Sequence, residues 1–571
     1  MASTFPKIPH LRKTPVSHQL IVHGEPFLLL AGELQNSSMT SAKFMKTVWQ
    51  DMVDTNVNTL LGCVTWEMLE PEEGKFDFSE LDQIIKDARS YGLHLVLLWF
   101  GSFKNGMSTY CPGWVKKDHK RFPRAHLRKA GGVLETTEVL SIFHTEGQKA
   151  DAKAFAMLLR YLKEVDEEYS TVLMVQVENE IGLQGDSRDG SAAANKRFSE
   201  PVPADLISFL SKDFDNLLPD AKANLEVFKQ GPKQGSWEAV FGKNQHTDEL
   251  FMAYHYALYV KEVAAAGKKE YPIPLYTNVW QNMADLDQVA VDELPFEVPV
   301  VAGGGGEPGV YPSGGACAPV LDVWMEFCTS LDFIAPDVYL NDYVTSCKKY
   351  RHRNQPLFIP EQRRDENGVR RIWPAYASYQ AMGTAPFGID TLTPSTNPFT
   401  KHYGLLKSIT PLVLEAQRTP NSSMGFYFDE FTPSGRDPTP PTTTRFGDWD
   451  VTIERCFVFG KPGTGAGMVI FTPPSTFLLI GWGFQALFKS VSSKSTFTGI
   501  LRFVEKEVVG ENGELKTLRV LNGDETRSGI FAMMPNEEPD YGGFPICVTI
   551  PAKTMIAECE VYSLEEDESD F

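Results

Sequence analysis

Eight times between residues 28 and 387, a short apolar run gives way to a stretch with helical spacing. The runs are Phe27–Ala31, Val57–Val64, His94–Phe100, Thr171–Glu180, Pro274–Val279, Asp332–Val338, Leu357–Glu361 and Ala385–Ile389. Their apolar character means burial. Helical patterns between them include Ser41–Thr55, Ser79–Tyr91, Glu146–Tyr169, Thr247–Ala265, Val320–Thr329, Tyr376–Met382 and Tyr403–Gln417. Ser79 and Gly92 bracket one of these as cap and stop. Eight such units over about 400 residues predict an α/β chain folded as a (β/α)8 TIM barrel with long loops after its strands.

The barrel is expected over residues 19–420, behind a loose leader at 1–18. After Thr419 the helical spacing stops. Short runs such as Gly425–Phe428, Met468–Phe471 and Thr476–Ile480 alternate with Gly, Pro, Asp and Asn. Glu511-Asn512-Gly513-Glu514 between two such runs signals a hairpin. Residues 424–560 therefore read as a C-terminal all-β, sandwich-like domain, followed by an acidic tail at 561–571.

Composition narrows the partners. The net charge of −20 repels phosphate backbones, which speaks against nucleic acid. Aromatic faces are plentiful, at 12% of residues, and suit sugar rings as well as large cores. The eight cysteines form no CxxC pair and no zinc-ligand spacing, which suits a reducing compartment and predicts no metal or other cofactor. Residues 1–15 lack the apolar run of a signal peptide, so a cytoplasmic location is expected, or a secreted one if a signal has been removed. The apolar stretch Phe477–Phe488 is too short for a bilayer, so no membrane partner is expected. A homo-oligomer stays open. The glycine-rich stretch 302–318 lacks the Gly-Lys-Ser/Thr ending of a phosphate loop and reads as a loop on the active face.

Two of the buried runs end in glutamate: Leu173–Glu180, closing on Glu178-Asn179-Glu180, and Pro356–Glu361. An ionised carboxylate at a buried strand end is costly unless the site uses it. Active residues of such barrels lie at the C-terminal strand ends, and strands four and seven face each other. Two carboxyls about 5–5.5 Å apart there define a retaining glycosidase, one as nucleophile and one as acid/base. Glu180 and Glu361 are the expected pair, with Glu178 as a support. Tyr339 and the Arg363-Arg364 pair are candidate donors to the nucleophile.

The stretch Gln176-Val177-Glu178-Asn179-Glu180-Ile181-Gly182 resembles the Q-[IV]-E-N-E-[YF]-G signature of glycoside hydrolase family 35, the β-galactosidases. Asn58-Thr59, Trp66, Glu70-Pro71 and Gly74–Phe78 resemble its second-strand motif, which recurs in the related family 42. Gly32-Glu33-Leu34-Gln35-Asn36-Ser37-Ser38 resembles the G-E-L-H-N-S-S opening of a subgroup with an extra C-terminal β domain. The resemblance spans roughly residues 18–420. It implies Glu180 as acid/base, Asn179 at the sugar 2-hydroxyl, Glu361 as nucleophile and Tyr339 hydrogen-bonded to it.

This chain departs from the better-known members in the loops. Their G-P-Y-I-C-A-E-W run after the third strand, whose Glu grips galactose, is Gly101-Ser102-Phe103-Lys104-Asn105-Gly106 here. Cys63 stands for a Tyr, and Gln35 for the subgroup's His. Glu33, Trp66, Glu67 and Asn105 are the candidates for the remaining sugar contacts. The expectation is a retaining exo-β-glycosidase, first a β-galactosidase. The alternatives are the same chemistry on a β-glucosaminide, an α-L-arabinopyranoside or a capped plant oligosaccharide, and a sugar-binding barrel without catalysis.

Overall fold

All eight apolar runs become strands of one closed, parallel barrel. In chain order they are β1 (Leu29–Glu33), β2 (Thr59–Thr65), β3 (His94–Lys104), β4 (Val172–Asn179), β5 (Leu275–Trp280), β6 (Phe333–Val338), β7 (Phe358–Gln362) and β8 (Gly383–Pro386). The structure, a computed structural model, describes residues 8–285, 305–456, 463–510, 513–521, 523–535 and 553–565. The chain forms two compact units. One comprises residues 1–12, 19–363 and 382–397, and the other 13–18, 364–381 and 398–571.

Alternation along the strands fills the barrel. Leu29 and Ala31, Leu61 and Cys63, Val96 and Leu98, Tyr276, Ala335 and Phe358 belong to one buried cluster. Small and large side chains from neighbouring strands interdigitate there, so the interior is a packed core. Tyr276 meets Phe358 edge-on at 5.6 Å between ring centroids.

Three expectations change. The last strand ends at Pro386 and does not reach Ile389. Its register is set lower down, where Gly383 pairs with Leu29. Gly388 then turns into the left-handed region at φ 69°, and Ile389 lies against Gly32. The helix expected at Tyr376–Met382 is replaced by Glu366–Arg370 and Ile372–Ala377. Asp365 starts the first by accepting the Gly368 N–H at 2.9 Å, a capping signal stronger than apolar spacing. The leader is ordered from residue 8, because His10–Lys13, His18–Val22 and Glu25–Phe27 form a three-stranded sheet. Residues 1–7, the turn at Glu511-Asn512 and the tail from residue 566 lie outside the described residues.

The second unit holds a six-stranded and a four-stranded sheet. Phe426, Val469, Leu479 and Val561 from one sheet share a buried cluster with Trp449, Val451, Phe484 and Ala486 from the other. Two sheets with one core make a sandwich. The expected hairpin strands appear as Ser495–Val509 and Glu514–Leu521, paired antiparallel. Among the described residues no helix is long and apolar enough to cross a membrane.

Candidate active site

At the C-terminal ends of the barrel strands lies a cavity of about 490 Å³, with Asn36, Lys104, Asn105, Glu180, Trp280, Asp337, Tyr339, Glu361 and Phe387 in its wall. Trp280, Tyr339 and Phe387 give it aromatic surface, and carboxyl, amide and ammonium groups give it polarity. Such a mixture suits a sugar.

The β4 end is built from an irregularity in β3. Trp99 pairs with Val177, but the next pair is Lys104 with Asn179. Residues 101–103 therefore bulge out of register. Their backbone needs new partners, and Glu178 supplies them. It accepts the Ser102 N–H at 3.2 Å and the Phe103 N–H at 2.8 Å. Gly101 is compulsory there, since a Cβ would come within 2.7 Å of Glu178 Oε1 and 2.5 Å of Trp99 Nε1. Asp151 closes the arrangement, accepting from Trp99 Nε1 at 3.0 Å and from the Ser102 hydroxyl at 2.6 Å. Glu178 thus shapes the site and does not enter the cavity.

Glu178 and Glu180 both have positive φ, 63° and 45°, a conformation few non-glycine residues adopt. The Glu180 N–H is held by Asn278 Oδ1 at 2.9 Å. Gly182, at φ 150°, lets the chain pass Pro312 of the glycine-rich stretch, where a Cβ would approach within 2.5 Å. Leu183 and Ser313 exchange backbone hydrogen bonds of 2.9 Å. The described part of that stretch braces the segment after β4, while residues 302–304 lie outside the described residues.

Across the barrel, Glu361 needs a second irregularity. It lies three positions after Phe358 of the barrel core, where strict alternation allows an offset of two or four. The β7–β8 pairing shifts register between Ile359 and Gln362, and such a shift re-aims a side chain. Glu361 accepts from Tyr339 Oη at 2.8 Å, Asn278 Nδ2 at 3.1 Å and Asn179 Nδ2 at 3.3 Å. Tyr339 was an expected donor, and the two amides join it. Oxygens of Glu180, Asp337 and Glu361 all lie within 4.8 Å of one another. Closely spaced carboxyls can gather a cation, but here an amide NH2 already bridges Asp337 and Glu361, and a lysine stands nearby.

That lysine is Lys104, buried and donating to Asn179 Oδ1 at 2.9 Å. Burial opposes its charge, yet Glu361 and Glu180 outweigh burial and hold it above the ordinary lysine value. Glu180 responds in the other sense. Burial, then the charge of Glu361, pushes its carboxyl up to about 8, against the pull of Lys104. A carboxyl so placed carries a proton at neutral pH.

Of the other expected contacts, Asn105 lines the cavity at φ 56° with its Oδ1 free of a hydrogen-bond partner among the described residues. Glu33 lies buried at the end of β1, and neither carboxyl oxygen has a hydrogen-bond partner among the described residues. Burial and then Glu361 push it well above the usual carboxylate range, so it is a neutral acid in the site's floor. Two expected contacts are displaced. Trp66 is 0% exposed and donates to Glu70 Oε2 at 2.8 Å. Glu67 pairs with Lys116 at 3.1 Å. Both follow β2 on the short helix Trp66–Leu69, which carries them away from the cavity.

Lys104, Asn278 and Asp337 were not expected from sequence. Asp337 had a signal, since it ends an apolar run as Glu361 does. Asn278 in Leu275–Trp280 had the weaker signal of one amide in a buried strand. Lys104 had none, because only the bulge brings it inward.

Residues 37–217 match the glycoside hydrolase family 42 model, described as beta-galactosidase. Residues 399–533 match a domain of unknown function, DUF5597. These findings support a TIM-barrel glycosidase. They do not single out family 35, and the match ends before β7. Among solved structures, the chain is similar to the catalytic domain of a beta-amylase from Paenibacillus polymyxa at 11% identity, over 66% of this chain and 97% of that one, with a TM-score of 0.44. A beta-galactosidase from Bacillus circulans sp. alkalophilus aligns at 13% identity over 68% and 57%, TM-score 0.42. One from the psychrophilic Marinomonas ef1 aligns at 11% over 69% and 62%, TM-score 0.44. The chain thus spans about three fifths of those two galactosidases. No curated protein matches in sequence.

Proposed function

We propose that this chain is a retaining exo-β-glycosidase acting on terminal β-galactosides. The observation that carries the reading is the approach of Glu180 and Glu361 to within 4.8 Å across one cavity, in opposite environments. Three donors hold the carboxyl of Glu361 in place at the cavity, as a nucleophile requires. Glu180 is held protonated, as an acid requires. Oxygens this close favour the short carboxyl spacing of a retaining enzyme over the wider one that admits an inverting enzyme's water.

Glu361 attacks the anomeric carbon while Glu180 gives its proton to the departing oxygen. The glycosyl ester of Glu361 then meets water, and Glu180 takes the water's proton back. Asn179, bonded to both Glu361 and Lys104, is placed to take the sugar 2-hydroxyl. The strand-four motif of family 35 type supports that placement, and the family 42 match over residues 37–217 supports the galactoside.

Glu361→Gly should abolish hydrolysis of nitrophenyl β-galactosides, and azide should restore turnover with an α-galactosyl azide as product. Wild-type rates in that variant would defeat the assignment. A second reading keeps the chemistry and changes the glycone. Lys104 and Gln35 in the cavity wall favour it, because they stand where the resemblance expects other sugar contacts. A panel of nitrophenyl glycosides separates the two readings.

A further inference from the structure

Asp337 has no part in the double displacement just described, yet it lies in the wall of the same cavity. It is 3% exposed. It stands level with Glu361, its direct partner in the β6–β7 register. Its Oδ2 accepts from Asn278 Nδ2 at 2.8 Å. Its Oδ1 has no hydrogen-bond partner among the described residues, although oxygens of Glu180 and Glu361 lie within 4.8 Å. A buried ionised oxygen without a donor is costly, and a carboxyl beside another carboxyl relieves the cost by sharing a proton.

The charges of the site require this sharing. The titratable groups that face Glu180 and Asp337 are Glu361 on β7, Glu33 on β1, Lys104 on β3, Tyr276 on β5 and Tyr339 just after β6. Four buried carboxyls confront one ammonium. Glu361 has three donors and is the group that must be ionised to attack. Glu33 has none among the described residues and is raised well above the usual carboxylate range by burial and Glu361. One proton between Glu180 and Asp337 leaves the set with two negative charges and one positive.

We propose that Glu180 and Asp337 act as one acid holding a single proton, with Asp337 a positioning residue that keeps Glu180 loaded for donation. Burial and the charge of Glu361 raise both carboxyls, while hydrogen bonding between the two raises Asp337 and lowers Glu180, as when one proton lies between them. The charge also balances through the reaction. The shared proton goes to the leaving oxygen, and the pair gains a negative charge. In the same step Glu361 loses its own by forming the glycosyl ester. Water's proton then returns to the pair as the ester is cleaved and Glu361 is ionised again.

The inference rests on the glycosidase reading, and the test separates the two. The alkaline limb of kcat/KM is measured for the wild type, Asp337→Asn and Asp337→Glu, with melting temperature as the check on folding. In Asp337→Asn the limb should move down by roughly one pH unit or more, since Glu180 loses its proton-sharing partner. At pH 8, kcat/KM for an alkyl β-galactoside should fall about fivefold or more, and that for a dinitrophenyl galactoside, which needs no acid, less than about twofold. Asp337→Glu should restore the limb in part. Asp337→Ser replaces the amide variant if that does not fold. An unmoved alkaline limb, or equal losses on both leaving groups, overturns the inference and leaves the hydrolase standing. A wild type that turns over no glycoside overturns both.

Discussion

Glu178 and Glu180 are two residues apart, share one strand end and one unusual backbone conformation, and do different work. Glu178 faces the β3 bulge, where two backbone N–H groups take its carboxyl oxygens. Glu180 faces the cavity, where the nearest groups are two more carboxyls. A side chain among backbone donors holds structure. Both carboxyls are raised, Glu178 by burial and Asp151, Glu180 by burial and Glu361, but only Glu180 opens on the cavity and can pass its proton to a substrate. Identical residue types thus acquire different roles from what lies opposite them, and the β3 bulge decides which is which.

The largest effect expected from this contrast is on chemistry. Glu180→Gln should lower kcat/KM for alkyl glycosides by about 10²–10⁴-fold, with melting nearly unchanged, because it removes the acid and keeps the shape. Glu178→Gln should do the reverse. It weakens two buried hydrogen bonds, at a cost of about 1–3 kcal/mol in stability, and lowers activity only through the displaced bulge. Paired melting and rate measurements decide the matter. Equal rate losses in the two variants would erase the distinction.

Next in size is Gly101→Ala. The added methyl meets Glu178, Trp99 and Asp151 at under 3.0 Å, so the bulge must move. About 1–3 kcal/mol of destabilisation is expected, with a loss of activity that shows the bulge and the cavity to be coupled. Thermal unfolding and kcat/KM on one preparation check both. The smallest effect is expected from Trp66→Phe. It removes the bond to Glu70 at about 1 kcal/mol and leaves KM for the glycone unchanged, since the indole does not reach the cavity. A raised KM would return Trp66 to the substrate contacts.

Much of the site could be read from strand ends alone. Glu180, Glu361, Asn179 and Tyr339 each close a buried apolar run, and burial makes a polar terminus conspicuous. Glu33 was found by the same rule, but sequence could not say that it would be left without a donor among the described residues. Trp66 and Glu67 followed the rule and failed it, because a helix begins directly after β2 and turns them away. Lys104 lies on a stretch whose alternation the bulge interrupts, so no periodicity points to it.

The sequence by itself determined the barrel, its eight strands and the two catalytic candidates, because burial and period are written locally in the order of residues. Tertiary structure alone decided the register slips in β3 and β7, the placement of Lys104 and Asn278, and the grouping of Asp337 with Glu180 and Glu361. Those depend on which strand lies beside which and at what offset. Proton affinity depends on the same thing, since it is set by charges that are neighbours in space and hundreds of residues apart in the chain.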